Sequence, residues 1–223
     1  ILVCLVGSEM CIRDSDVTLN ATAAKVTTMT IGGSGTVAVT DLQATTDANF
    51  GSITATTFTA NYASGNNTMT DADLGDAVIT VAGGTMTLGN ADVSATPSFT
   101  VSGGATLVGT ATALDGKTAT GVGDVDITDG EGDASAVLSN IATLTSSYTA
   151  ATDTSVTGAL PVGTGTVTII NSISLGANIL GNSNTTYTIS STKTLNATAA
   201  RVTGKKINGS GSVTVTALQA TTN

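Results

Sequence analysis

The sequence predicts an all-β chain wound as a β-solenoid (a parallel β-helix), with coils of about 22 residues grouped into an 88-residue super-repeat. Three observations predict it: a narrow alphabet rich in β-branched and small residues, a gapless internal repeat, and short alternating segments that recur four times within it.

Of the 223 residues, 46 are Thr and only 10% are charged, so most of the chain must lie in partly buried structure. Thr and Val favour pleated, half-buried surfaces. The apolar residues alternate with polar ones, which separates the chain from a flexible Gly/Ser linker. No segment reads as an amphipathic helix.

The repeat is explicit. Thr18-Leu19-Asn20-Ala21-Thr22-Ala23-Ala24 returns as Thr194-Leu195-Asn196-Ala197-Thr198-Ala199-Ala200, and the alignment runs without a gap to Thr46 and Thr222. At this offset of 176, 21 of 29 positions are identical. A weaker copy lies midway: Gly33-Ser34-Gly35-Thr36-Val37-Ala38-Val39-Thr40 aligns with Gly121-Val122-Gly123-Asp124-Val125-Asp126-Ile127-Thr128, and then with Gly209 to Thr216. Phe99-Thr100-Val101 and Tyr187-Thr188-Ile189 share the same spacing of 88.

Strands are expected near Thr36, Ile53, Ala77, Ser98, Asp124, Ile141, Thr166, Thr186 and Ser212, about 22 residues apart. Each alternates Val or Ile with Thr and is bounded by Gly, Asn or Asp. Four such turns fill one super-repeat. Tandem Ig-like β-sandwiches are the alternative, since such domains run to about 100 residues. Sub-repeats this short and a scarcity of aromatics favour coils, and recurring glycines suit corners that must stack. In the Gly-x-Gly units the aliphatics Val37/Val39, Val125/Ile127 and Val213/Val215 are expected to face inward, with Ala38, Asp126 and Thr214 facing outward.

The first fifteen residues stand apart. Leu5-Val6-Gly7-Ser8-Glu9-Met10-Cys11-Ile12-Arg13-Asp14-Ser15 resembles the in-frame translation of a transposase-adapter oligonucleotide used to build sequencing libraries. Residues 1–15 are therefore read as an adapter-derived artefact, and residues 16–223 as a repetitive fragment truncated at both ends. Both cysteines, Cys4 and Cys11, fall in the adapter-like segment, so no disulfide or metal pair is expected.

The motif Gly33-x-Gly35-x-Val37-x-Val39-Thr40-Asp41-Leu42, followed by Asp47-Ala48-Asn49-Phe50-Gly51-Ser52-Ile53, resembles repeats of very large bacterial surface and adhesin-like proteins. The middle copy keeps the tail as Ala136-Val137-Leu138-Ser139-Asn140-Ile141. This resemblance implies secretion to the cell surface or exterior, a stalk-like or adhesive role, and either a surface receptor or self-association through the repeats. It names no receptor.

Chemistry is sparsely represented. The chain has no His, which removes Ser-His-Asp and Cys-His catalysis and ordinary zinc sites, and no enzymatic activity is expected. A net charge of −9 disfavours nucleic acid, whose phosphates call for Lys and Arg. No apolar run is long enough to span a bilayer as a helix. Gly116-Lys117-Thr118 mimics the end of a nucleotide loop but lacks the upstream glycine, Ala111 standing in its place, so it reads as a corner turn.

The densest candidate site is acidic: Asp124, Asp126, Asp129, Glu131 and Asp133 within ten residues, a set of oxygen donors suited to calcium. Asp71, Asp73 and Asp76 form a thinner cluster. The same carboxylates could in principle cleave glycosidic bonds, but the aromatic platforms of such clefts are missing. Thr-x-Thr pairs at Thr143/Thr145, Thr164/Thr166, Thr186/Thr188 and Thr214/Thr216 raise ice binding, against plain occupation of the outward strand face by Thr. Apart from calcium, no cofactor is expected.

Overall fold

A computed structural model describes residues 3–6, 9–12, 17–95, 98–128, 138, 140–141, 145–148, 154–156, 166–175 and 186–218. For 3–6, 9–12, 145–148, 154–156 and 166–167 the description is of the backbone alone. The chain divides into two compact units, residues 1–107 and 108–223. Each unit is a stack of β-coils.

In the first unit, Thr18–Thr22 pairs in parallel with the second half of the long strand Thr30–Thr40, Thr18 opposite Thr36. Thr30–Thr40 pairs onward with Ile53–Tyr62, that strand with Val78–Val81, and that in turn with Ser98–Val101, always in parallel. A second ladder joins Asn66–Thr68 to Gly84–Thr87, and a third consists of single bridges running Asn49, Asp73, Asp92. The register of the first ladder slips once between Gly33 and Thr36, where Gly33 takes φ +132° and the flexible Gly33-Ser34-Gly35 takes up the irregularity.

The second unit repeats the plan. Thr154–Val156, Ile173–Leu175, Thr194–Thr198 and Ser212–Thr216 form one parallel sheet, and Thr166–Ile169, Thr186–Ile189 and Lys206–Gly209 another. Asp124–Ile127 pairs in parallel with Thr145–Tyr148, and Ala119 bridges Ile141. Coil length, read from paired residues, ranges from 18 (Thr194 to Ser212) to 24 (Asn49 to Asp73). That brackets the expected 22. Parallel pairing between segments about 20 residues apart excludes the Ig-like alternative, whose sheets are antiparallel.

Among the described residues one pair is antiparallel: Val3–Val6 with Glu9–Ile12, inside the adapter-like segment. Glu9–Ile12 then lies parallel to Thr30–Gly33.

A strand lies at or within one residue of every expected position, Val78 standing for Ala77 and a single bridge marking Ile141, but each coil carries more strand than one segment of alternation showed. The structure also contains one-turn helices that the sequence reading did not anticipate: Ala23–Val26, Ala111–Leu114 and Ala199–Val202. They are spaced by 88, so the super-repeat is structural as well as textual. Thr22, Thr110 and Thr198 precede them in extended conformation, and the Thr110 hydroxyl accepts a hydrogen bond from Ala113 N at 3.1 Å. Four residues are too few to show helical periodicity, which is why the pattern was silent. The turn after each helix needs a left-handed residue, supplied by Thr28, Gly116 and Gly204 at φ of 63°, 65° and 73°. Gly116-Lys117-Thr118 is thus a corner that leads into the strand Thr118–Gly121, whereas a phosphate loop would open a helix.

The cores are ladders of like-placed side chains. In the first unit Val39, Ala60, Ile79 and Phe99 occupy successive rungs, and all are at most 2% exposed. Beside them run Tyr62, Val81 and Val101. Phe50 and Phe58 meet edge to face, ring centroids 5.5 Å apart. A polar pin crosses three coils of this unit. The buried Tyr62 hydroxyl donates to Thr85 O (2.8 Å) and accepts from Asn67 N (2.9 Å), and Gln43 Oε1 accepts from Ala63 N (2.9 Å). Burial raises the Tyr62 phenol above its usual range, partly offset by the Asn67 N–H.

The inward assignment of the Gly-x-Gly aliphatics holds in the first two copies, where Val37, Val39, Val125 and Ile127 are buried; in the third, Val213 is exposed and Val215 half-buried. Ala38 and Asp126 face the other way but are half-buried, because strands of neighbouring coils flank them on the same face. We expect Val125→Asp to place a carboxylate at a fully buried position and to lower stability by about 4 kcal/mol, whereas Ala38→Asp should cost less than about 1 kcal/mol. Denaturant melts of the full chain check this; equal losses would contradict the face assignment.

Candidate functional site

The acidic strand Asp124–Ile127 owes its form to alternation. Val125 and Ile127 enter the core, so Asp124 and Asp126 leave from the opposite face, two residues apart, opposite Thr145 and Ser147 of the neighbouring strand. Burial, and after it the negative charge of Asp124, hold the Asp126 carboxyl above its ordinary range. Of the five carboxylates proposed for calcium, these are the two the structure brings together. Asp129, Glu131 and Asp133 lie outside the described residues. Calcium takes six to eight oxygens, more than Asp124 and Asp126 supply, and among the described residues no three His, Cys, Asp or Glu side chains converge as a metal centre would require.

The thinner acidic cluster is divided. Asp71 is exposed at a left-handed bend (φ +55°) and Asp76 is exposed in a turn, while Asp73 belongs to a ladder that sequence reasoning missed. Asn49, Asp73 and Asp92 stack in parallel on successive coils of the first unit. Each turns its side-chain oxygen onto the backbone N–H two residues on: Asn49 to Gly51 (3.2 Å), Asp73 to Gly75 (3.0 Å) and Asp92 to Ser94 (2.8 Å). Between turn and core sit Phe50, Leu74 and Val93, all buried. The signal was present as Asn/Asp, a large apolar residue and Gly/Ser recurring at coil spacing. Along this ladder runs a shallow groove of about 320 Å³, bordered by Gly51, Thr54, Asp73, Asp76, Asp92 and Ser94. The carboxylate oxygens in hydrogen bonds here hold the coil's own corners, which is a structural use of acidic residues.

The Thr-x-Thr pairs do not assemble into one array. Thr186 and Thr188 stack on Thr166 and Thr168, whereas Thr214 and Thr216 stack on Asn196 and Thr198 in a different sheet. Thr143 and Thr164 lie outside the described residues. In the first unit a separate column, Thr18, Thr36 and Thr57, crosses three strands.

No family model matches the chain, and neither a curated protein nor a solved structure is similar to it. Among the described residues, no helix is long and apolar enough to cross a membrane.

The Asp126 environment has a measurable consequence. A carboxyl that binds its proton more tightly folded than unfolded stabilises the native state while protonated. That increment is present at and below the ordinary value of 3.8 and is lost as pH rises through the higher native value. Asp126→Asn should therefore melt at a higher temperature than the parent at pH 7, with the difference shrinking as pH falls to about 3. A difference that is constant across this range would contradict the stated cause.

Proposed function

We propose that residues 16–223 are a structural or adhesive repeat segment of a secreted or cell-surface bacterial protein, without catalysis of its own and without a nucleic-acid partner. One observation carries this reading. Conspicuous polar side chains of the described coils are engaged within the stack itself: Asn49, Asp73 and Asp92 close their own corners, and Gln43 and Tyr62 fasten one coil to the next. Such a use suits a load-bearing spacer, in which neighbouring coils reinforce one another. The resemblance of Gly33–Leu42 and Asp47–Ile53 to surface-protein repeats supports the location, and residues 1–15 stand outside the functional segment in this reading.

The test combines mechanics with ligand challenge. Stretched singly between its ends, the chain should lengthen in small steps, each near one coil of about 20 residues, or about 70 Å of contour. Its melting curve should be the same in millimolar calcium and in chelator, and its solutions should show no thermal hysteresis. Calcium stabilisation that disappears in Asp124→Asn/Asp126→Asn would replace the structural reading with a calcium-binding one, and thermal hysteresis would replace it with ice binding.

A further inference from the structure

The rung formed by Lys206–Gly209 and Ser212–Thr216 differs from its repeat mates in one respect. Val37 and Val39 in the first copy, and Val125 and Ile127 in the second, are at most 2% exposed; Val213, at the same place in the third, is 40% exposed. Leu42 is fully buried, whereas its mate Leu218 is 76% exposed. Ile207 is half-exposed where Ile31 is buried, and Ala199 is half-exposed where Ala23 and Ala111 are buried. The sequences are nearly the same, so the difference lies in what covers them.

In the first copy the next coil is the cover. Ile31 faces Ile53, Val37 faces Phe58 and Val39 faces Ala60, all on the next strand, Ile53–Tyr62. The amide of Ile31 donates to Ser52 O at 3.1 Å. Ala23 is fully buried, as are Leu42, Ala48 and Phe50, and the turn after its helix is tied to the next coil by Thr28 N, which donates to Asn49 O at 2.8 Å. In the third copy the interior ladder Ile173–Leu195–Val213 runs from buried to exposed at its last member, and a pocket of about 370 Å³ opens between Thr198, Ala199, Ala200 and Ala217. Those four are the mates of Thr22, Ala23, Ala24 and Asp41. The backbone edge of Ser212–Thr216 also offers a row of donors and acceptors that a parallel strand would satisfy.

We propose that the face made by Ile207, Val213, Val215 and Leu218, with the pocket beside Ala199, docks one further parallel coil of this chain's own repeat type, with the residue pattern of Asp47–Tyr62. The mates of Ile53, Phe58 and Ala60 in that coil cover Ile207, Val213 and Val215 respectively, and the mate of Phe50 lies over the pocket. The proposal rests on repeat geometry and holds whether or not the segment is adhesive.

The connector needed for the test already exists, because Leu218-Gln219-Ala220-Thr221-Thr222 is identical to Leu42-Gln43-Ala44-Thr45-Thr46. The full chain is compared with one in which the Asp47–Ala95 sequence follows Thr222 in place of Asn223. Amide hydrogen exchange is followed at Ser212–Thr216. The extended chain should show at least about tenfold slower exchange across this strand. The gain should vanish when the appended copy carries Phe58→Asp, while the original Phe58 is untouched. Unchanged exchange, or a gain that survives Phe58→Asp, overturns the proposal. Protection of the unextended chain that grows with concentration would overturn it too, by showing that a second copy of the chain is the occupant.

Discussion

The structure depends on stacking identical backbone geometry at one fixed spacing. Parallel strands lie about 4.8 Å apart, so a side chain at an inward position rests on the inward side chain of the next coil. Val39, Ala60, Ile79 and Phe99 form such a column, and each contributes little unless the residues above and below are present. A lone coil has no second layer against which to bury its face, and its ordering entropy is unopposed. Cooperation between neighbours therefore replaces the single globular core, and the low charge and plentiful Thr of the sequence follow from it. A side chain in a column must be small enough, or regular enough, to accept another at the same place.

Corners impose the second constraint. Consecutive coils must turn at superposable points, and the turn backbone of one approaches that of the next. A Cβ on Gly84, at φ +69°, would collide with the backbone of Gly65 one coil earlier. At another corner Asn49, Asp73 and Asp92 each hold the turn with a side chain bonded to the backbone two residues on. The 88-residue period is the spacing at which one particular corner recurs: Thr N-terminal to a single helical turn, then a left-handed residue. The other coils use different corners, and that variety explains why coil length is not constant.

Much of this was legible beforehand. Alternation around Val37, Val125 and Val213 gave strand positions, and around Val37 and Val125 the buried face, because period two is unmistakable even over four residues. The one-turn helices were not legible, since Ala23-Ala24-Lys25-Val26 is shorter than any helical signal. The Asn49–Asp73–Asp92 ladder was missed because only one of its members falls within a local acidic cluster; its meaning lies in stacking across coils. Clustering along the chain is a poor guide here. Asp124 and Asp126 share a face because alternation requires it, whereas Asp71 and Asp73, just as close in sequence, have separate environments.

The central claim is that successive coils advance by one strand spacing in one direction. Spin labels placed pairwise along the first unit test it directly, using Asn20, Ala38, Thr59, Val78 and Ser98, which occupy consecutive rungs or are aligned with them. Measured from Asn20, backbone separations should grow steadily by about 4.8 Å per coil, reaching about 19 Å at Ser98. Separations that alternate between short and long, as strands folded back on one another would give, would contradict the parallel coil.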